Sequence, residues 1–414
     1  MPGLQERPHA PIGSLEAQSP APQPPAPAAP DLAADGQHAA PAAGSAHAPP
    51  LLSHWTEPGH AAAAPAPGAA AGNPLAGRGL YLAPGSAAQR QAASWRTSRP
   101  DDAAQLQKIA STPQATWLGE WNPDVTADVR GQVTAARAQG TTPVFVAYNI
   151  PHRDLGQHSA GGADAAAQYR AWLDKLARGV KEGGGPAVVI LEPDALAQAD
   201  GLPPALREER YALLREAVAK LKQSGATVYL DAGNPEWKQP AEMGQRLNQA
   251  GVQGADGFAL NVSNFFTTEA NLAYGEALSA QVGGKHFVVD TSRNGLGPAA
   301  DRQPINPAGR ALGQRPTTQT GHPLADAFLW VKHPGESDGT ANGGPRAGTF
   351  WPEYALGLAR SEGARPASTP GTSGGAATAG GTGSVPSGGA ATGSGSLLGR
   401  LRLAPLPPQG TPGS

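Results

Sequence analysis

The sequence contains no cysteine. Disulfides and thiolate metal sites are therefore excluded, and cysteine pairing gives no reading of the redox compartment. An excess of either charge is missing too: 31 basic and 33 acidic residues leave a net charge of −2. That balance offers no electrostatic footprint for nucleic acid, and no Lys/Arg cluster suits an anionic membrane surface. No window approaches the ~18 consecutive apolar residues of a spanning helix. The opening stretch, MPGLQERPHAPIGSLEAQSP, has neither a basic leader nor a continuous apolar run, so it does not read as a secretory signal. Within the globular region there is no H-x-H, H-E-x-x-H, Walker or dinucleotide glycine loop, and no G-x-S-x-G nucleophile elbow.

Glycine (55) and proline (43) are abundant, and proline is enriched at the two ends. Residues 1–77 are Ala/Pro/Gly/His-rich with Trp55 as their one aromatic. Such a segment cannot bury enough apolar surface to offset its ordering entropy, so it is expected to be disordered. Its histidines (His9, His38, His47, His54 and His60) read as solvated side chains more readily than as a metal tract. Residues 366–414 begin as PASTPGTSGGAATAGG, which is linker chemistry. They end in SLLGRLRLAPLPP, a short sticky helix or an unstructured stretch. Neither end carries a set of aromatics that could form a stacking surface for a ligand.

Residues 78–365 look globular. Short apolar runs predict strands at Gly79–Leu82, Ala115–Gly119, Pro143–Tyr148, Ala187–Leu191, Ala226–Leu230, Gly257–Leu260, His286–Asp290 and Ala327–Val331. Helical spacing lies between them at Asp124–Gln139, Asp164–Val180, Ala205–Gln223 and Glu242–Ala250, with Asp124 and Asp164 as expected N-caps. Repeated β-α units imply a parallel sheet covered by helices. Seven or eight such units fit an α/β barrel of about 250 residues.

In such barrels the active site forms where strands pass into loops. After the run ending at Tyr148 comes Asp154. Leu191 is followed by Glu192 and Asp194, and Leu230 by Asp231. Leu260 leads into Asn261 and Asn264, Val289 into Asp290 and Arg293, and Val331 into Lys332, Glu336 and Asp338. Any one of these alone reads as a cap or a turn residue; the series reads as a carboxylate site. His152, His158, His286, His322 and His333 do not pair at ligand spacing, so metal hydrolysis is poorly supported. Trp117, Trp121, Trp237, Trp330 and Trp351 share this region, as sugar platforms or as core.

VAYNIPHRD (146–154) and VVILEPDALA (188–197) closely resemble the two signatures of glycoside hydrolase family 6, the cellulases. The resemblance continues through YLDAGNPEW, ALNVSNFFTT, VVDTSRNGLGP, NPAGRALG, DAFLWVKHPGESDG and FWPEYALGLA, covering about residues 80–362 and looking most like the bacterial endoglucanases. It implies a distorted (β/α) barrel of about seven parallel strands, TIM-like, acting on β-1,4-glucan or cello-oligosaccharides with net inversion and no cofactor or metal. By resemblance, Asp194 is the general acid, and Asp154 is the carboxylate that keeps it protonated and helps activate water. Asp338 is the candidate base, and Tyr148 lies beneath the distorted sugar. Trp117, Trp237, Asn261, Asn264, Lys332 and Glu336 match substrate-binding positions, and Asp231 a polar residue of the cleft. Inverting enzymes hold acid and base about 6.5–9.5 Å apart to admit water. The family also implies a secreted monomer.

The sequence departs from the family pattern in places. Two disulfides usual in the family are replaced, one pair by Leu155 and Gly201 and the other by Ile305 and Ala341. Each crosslink is typically worth about 2–4 kcal/mol, and their joint loss suggests folding or working where disulfides do not form. The usual D-A-G-H reads D-A-G-N at Asn234, a loop serine reads Ala160, and a tryptophan position reads Pro304. The leading reading is an endo-β-1,4-glucanase, because Asn294–Lys332 is not expanded into a cleft-roofing loop. The alternatives are an exo-acting cellobiohydrolase, an enzyme on mixed-linkage glucan, and a catalytically weak glucan-binding protein.

Overall fold

The computed structural model describes residues 72–156 and 159–364. The two ends expected to be disordered, with their histidine tract and SLLGRLRL stretch, lie outside the described residues apart from 72–77, as does His158. Seven strands form one sheet in sequence order: β1 (Thr116–Leu118), β2 (Val144–Ala147), β3 (Val188–Leu191), β4 (Thr227–Asp231), β5 (Gly257–Leu260), β6 (His286–Asp290) and β7 (Ala325–Leu329). Every neighbouring pair is parallel. The expected strand at Gly79–Leu82 is shorter, Gly79–Leu80, and pairs with Thr141–Thr142 outside this sheet. Helices α1 (Ala87–Trp95), α2 (Pro100–Ala110), α3 (Val125–Ala138), α4 (Ala166–Gly183), α5 (Pro204–Gln223), α6 (Pro240–Gln249), α7 (Thr268–Gln281) and α8 (Pro352–Arg360) complete the fold.

Successive side chains of a strand point to opposite faces, and here both faces are buried. Val146, Ile190, Tyr229, Val288 and Leu329 meet in the barrel interior. Their chain neighbours Phe145, Val189, Leu230, Phe287 and Phe328 pack outward against the helices. Burial on both sides is why these strands read as unbroken apolar runs instead of alternating ones. Helices α1, α2 and α8 form a separate cluster around Trp330 and Leu312.

The barrel is curled but not closed by a ladder: among the described residues β1 and β7 do not pair. Hydrogen bonds from beyond the strands bridge this seam. The Ala115 N–H donates to the Trp330 carbonyl at 3.0 Å, and the Trp117 indole N–H to the Val331 carbonyl at 2.8 Å. His333 Nε2 lies 2.6 Å from the Ala115 carbonyl oxygen.

Asp124 caps α3 as expected, its carboxylate accepting the Ala127 N–H at 3.0 Å. Asp164 does not cap α4. Ala165 takes the N-cap position with no side-chain bond, leaving Asp164 one residue too early; its own N–H donates to Gln168 Oε1 at 2.9 Å. The last strand begins two residues before the expected Ala327. Asp326 concealed it, a carboxylate buried in the strand and satisfied by the Tyr229 hydroxyl at 2.7 Å and His286 Nδ1 at 2.8 Å.

Both replaced disulfide positions remain in contact. A Cβ on Gly201 would lie 2.2 Å from Leu155 Cδ1, so the leucine occupies the room of the missing crosslink. The second pair is replaced by amides: Asn342 Nδ2 donates to the Ile305 carbonyl at 2.7 Å and Asn306 Nδ2 to that of Ala341 at 3.1 Å. Gly201→Val should displace Leu155 and lower stability by about 1–3 kcal/mol. Urea unfolding reads this, and an unchanged midpoint would show that Leu155 swings aside freely.

Candidate active site

The loops after the strands enclose a cleft of about 1390 Å³, lined among others by Trp117, Tyr148, Asp154, Asp194, Trp237, Asn264, Lys332, Glu336 and Asp338. Trp117 of β1 and Lys332, three residues beyond β7, both line the cleft. Trp117 also meets the edge of Tyr148, ring centres 5.1 Å apart and perpendicular.

One wall carries Asp194 and Asp154. Glu192 and Asp194 both have positive φ, 50° and 72°, in a region costing non-glycine residues about 1–3 kcal/mol each. Buried carboxylates hold this turn. Asp231 Oδ1 accepts the N–H of Asp194 at 3.0 Å and that of Gly233 at 3.1 Å. The Glu192 carboxylate accepts the N–H groups of Asn149 and Ile150 at 3.0 Å. Burial pushes the Asp194 carboxyl up to about 7, the negative charge of Asp154 adds to this, and the Tyr148 hydroxyl opposes it. That hydroxyl lies 3.4 Å from Asp194 Oδ2, long for an O–H donor. Asp154 is tethered through both oxygens, to Gln198 Nε2 at 2.7 Å and to the Ser159 N–H at 2.8 Å.

Asp338, which also lines the cleft, has the opposite electrostatics. Burial alone would raise the Asp338 carboxyl, but Arg293 and Lys332 outweigh it and hold it below its ordinary range. Arg293 is fully buried, donates to Asp338 Oδ2 at 2.8 Å and stacks 4.3 Å from the centre of Phe265. Lys332 Nζ is 3.4 Å from Asp338 Oδ1. Asn306 closes the turn, its N–H donating to Asp338 Oδ2 at 3.1 Å and its Oδ1 accepting the Asp338 N–H at 2.8 Å. Glu336 pairs with His333 Nδ1 at 2.7 Å. Burial would raise Glu336, but the charges of His333 and Lys332 hold it low.

Two expected site residues do not reach the cleft wall. Asp231 is 1% exposed and lies behind Asp194. Asn261 is wholly buried, its amide N–H donating to the Phe266 and Asp290 carbonyls and its Oδ1 accepting the Phe266 N–H. Its side chain is committed to shaping the loop after β5, in place of the expected substrate contact. Asn234, Ala160 and Pro304 do line the cleft. Asn234 Oδ1 accepts the Glu236 N–H at 3.1 Å.

Sequence reasoning missed Arg153 as an organiser. This buried guanidinium grips Glu120 at 2.6 and 2.8 Å, the Tyr148 carbonyl at 2.8 Å and the Ser159 carbonyl at 2.8 Å. Its neighbour Asp154 drew attention because carboxylates carry the chemistry, and no sequence signal paired Arg153 with Glu120, 33 residues away. Gln198 was missed for the same reason. Among the described residues no group of three or more His, Asp or Glu side chains is arranged to hold a metal ion, and no helix is long and apolar enough to cross a membrane.

The family model of the glycosyl hydrolases family 6 matches residues 75–362. The chain belongs to this family. Endoglucanase A of Cellulomonas fimi is 45% identical over 284 residues, covering 68% of this chain and 61% of that protein. The chain therefore spans less than two thirds of that relative. Endoglucanase 1 of Streptomyces halstedii is 41% identical over 290 residues, 67% of this chain and 87% of that protein. Among solved structures, an endoglucanase from Mycobacterium tuberculosis in complex with a methyl-cellobiosyl-4-deoxy-4-thio-β-D-cellobioside superposes with a TM-score of 0.66. It is 48% identical and covers 70% of this chain and 98% of that one.

In this family 6 domain the Arg293–Asp338 pair has a definite pH signature. Asp338 is held below its unfolded value, so the stabilisation is present at neutral pH and lost as pH falls through the depressed folded-state value. Arg293→Met should remove that acid-dependent component. It should also cost about 3–5 kcal/mol at neutral pH, since it strands a buried carboxylate. Urea unfolding between acid and neutral pH measures both, and a variant with the parent's pH dependence would show that Arg293 is not what depresses Asp338.

Proposed function

We propose that this chain hydrolyses β-1,4-glucosidic bonds of cellulose-type glucans as an endo-acting, inverting enzyme, with residues 78–365 as its catalytic domain. The carrying observation is the contrast between two carboxyl groups on one cleft. Asp194 is pushed up to about 7 by burial and by Asp154, so it holds a proton at the working pH and can deliver it to the leaving glycosidic oxygen. Asp338 is held ionised by Arg293 and Lys332.

The roles divide by how each carboxylate is engaged. Asp338 has one oxygen committed to Arg293 and the Asn306 N–H and the other beside Lys332. A carboxylate so engaged and so acidic is a poor proton acceptor, so in place of the expected base its role here is to balance and position Arg293 and Lys332. Asp154 stands near Asp194 and, with each oxygen bound once, has lone pairs left to polarise a water. Tyr148, with Trp117 against its edge, supports the distorted sugar. Lys332, Glu336, Asn264 and Trp237 bind along the cleft.

Endo action is supported by the exposure of Trp237, 36% open to solvent on the cleft, and by the endoglucanase relatives. The polymeric substrate does not cross membranes, which supports work outside the cell; a monomer is what the family resemblance implies. Finding the protein only in the cell fraction would count against that location.

The stereochemical course is tested by following a soluble cello-oligosaccharide by proton NMR from the first minutes. The α-anomer is expected first; early β-anomer would make the enzyme retaining and overturn these roles. Asp194→Ala should lose about 10²–10⁴-fold in kcat on unactivated substrates, the size of general acid catalysis. Activity should fall as pH rises through about 7, as Asp194 loses its proton. In Asp154→Asn one cause of the raised value is gone, so this alkaline limb should move to lower pH. A limb that stays in place would dissociate it from the Asp194–Asp154 couple.

A further inference from the structure

We propose that Trp121 is an additional sugar-stacking platform that extends the glucan-binding cleft and makes affinity depend on chain length. The inference rests on the glucanase reading, and it goes beyond the aromatic positions the family signatures supply, Trp117, Tyr148 and Trp237.

Three large apolar side chains are exposed among the described residues: Leu82 (38%), Trp121 (49%) and Trp237 (36%). All three line the cleft. Indole left open to water forgoes the burial that the other large aromatics achieve, and an exposed aromatic in a groove marks a binding surface. Trp121 stands on the loop after β1, three residues beyond the end of that strand.

The ring is held in place. A Cβ on Gly119 would fall 2.4 Å from Trp121 Cζ3 and 2.5 Å from Cη2, so the indole rests against backbone that only glycine leaves open. The Arg153 guanidinium carbon is 5.3 Å from the Trp121 ring centre and 4.7 Å from that of Tyr148. Arg153 is itself locked by Glu120 and by the carbonyls of Tyr148, Ser159 and Ala160. Trp117 neighbours Tyr148, Tyr148 neighbours Arg153, and Arg153 neighbours Trp121, so all four belong to one connected part of the cleft lining.

Pre-positioning matters because an immobilised platform loses little side-chain entropy on binding. In this proposal a sugar ring at Trp121 is additional to those seated at Trp117 and Tyr148. Short oligosaccharides that fill the central positions would not reach it, and longer ones would. The exposed Leu82, with Pro84 and Arg90 also lining the cleft, offers further wall in addition to the seven strand-end loops.

The test is calorimetric titration of the Asp194→Ala protein with cellotriose and cellohexaose, with and without Trp121→Ala. This reads binding even where no hydrolysis occurs, so its outcome separates from that of the catalytic reading. The expected result is that Trp121→Ala weakens cellohexaose about three- to tenfold more than cellotriose, the range of one aromatic contact. Trp121→Phe should keep most of the difference. Equal weakening of both sugars would make Trp121 a support for Arg153 and overturn the proposal, as would no change in either. Absence of binding by the parent protein would overturn it together with the glucan reading.

Discussion

The arrangement rests on buried carboxylates at the strand ends accepting backbone N–H groups from adjoining loops. Glu192, at the end of β3, takes the N–H groups of Asn149 and Ile150 after β2. Asp231, at the end of β4, takes those of Asp194 and Gly233. Asp290, at the end of β6, takes those of Ser263, Ser292, Val331 and Lys332. A loop leaving a parallel sheet has N–H groups with no ladder to join, and an unmatched buried donor costs about 1–3 kcal/mol. These carboxylates meet that need and tie each loop to its neighbour. The strained backbone at Glu192 and Asp194 persists because it is held this way.

Such wiring sets the electrostatics of the cleft. It fixes Asp194 in a buried place beside Asp154, and burial and that neighbour make its proton harder to remove. Burial pushes Asp231 well above its ordinary value, and the charge of Asp194 raises it further. Elsewhere on the cleft two cations, Arg293 and Lys332, converge on one carboxylate, Asp338. One cleft thus presents a protonated acid and an ionised carboxylate at the same pH, and the difference arises from neighbours, since both are aspartates.

The fold was legible in the sequence because runs such as VVILEPD and VVDTSRN combine apolar residues with a polar strand end, a pattern that burial on both faces imposes. The shifted β7 was hidden by Asp326, whose partners Tyr229 and His286 come from two other strands. Helices α1, α2, α7 and α8 went unmarked; α1, for example, is AAQRQAASW, whose small and polar residues show little apolar periodicity. At the site, Asp154, Asp194 and Asp338 were visible as strand-end carboxylates carried by family signatures. Asp231 and Asn261 looked alike in sequence to residues that meet substrate. What separates them is burial and hydrogen-bond occupancy, set by residues 20 or more positions away, such as Asp194 and Asp290.

The missing crosslinks illustrate how the same constraint is met by other means. Leu155 follows Asp154 directly, and its side chain fills the space against Gly201, so the loop carrying Asp154 is held by packing where a disulfide would have held it. Asn306 clasps Asp338 through its main chain and side chain while its amide also bonds the Gly339 and Ala341 carbonyls. In both places the substitute lies next to a carboxylate of the cleft. The demand the crosslinks served is therefore positional as much as energetic: a disulfide acts largely on the unfolded chain, whereas Leu155 and Asn306 act on the folded loops themselves. A chain without cysteine keeps its carboxylates in place because the contacts that orient them are local to them.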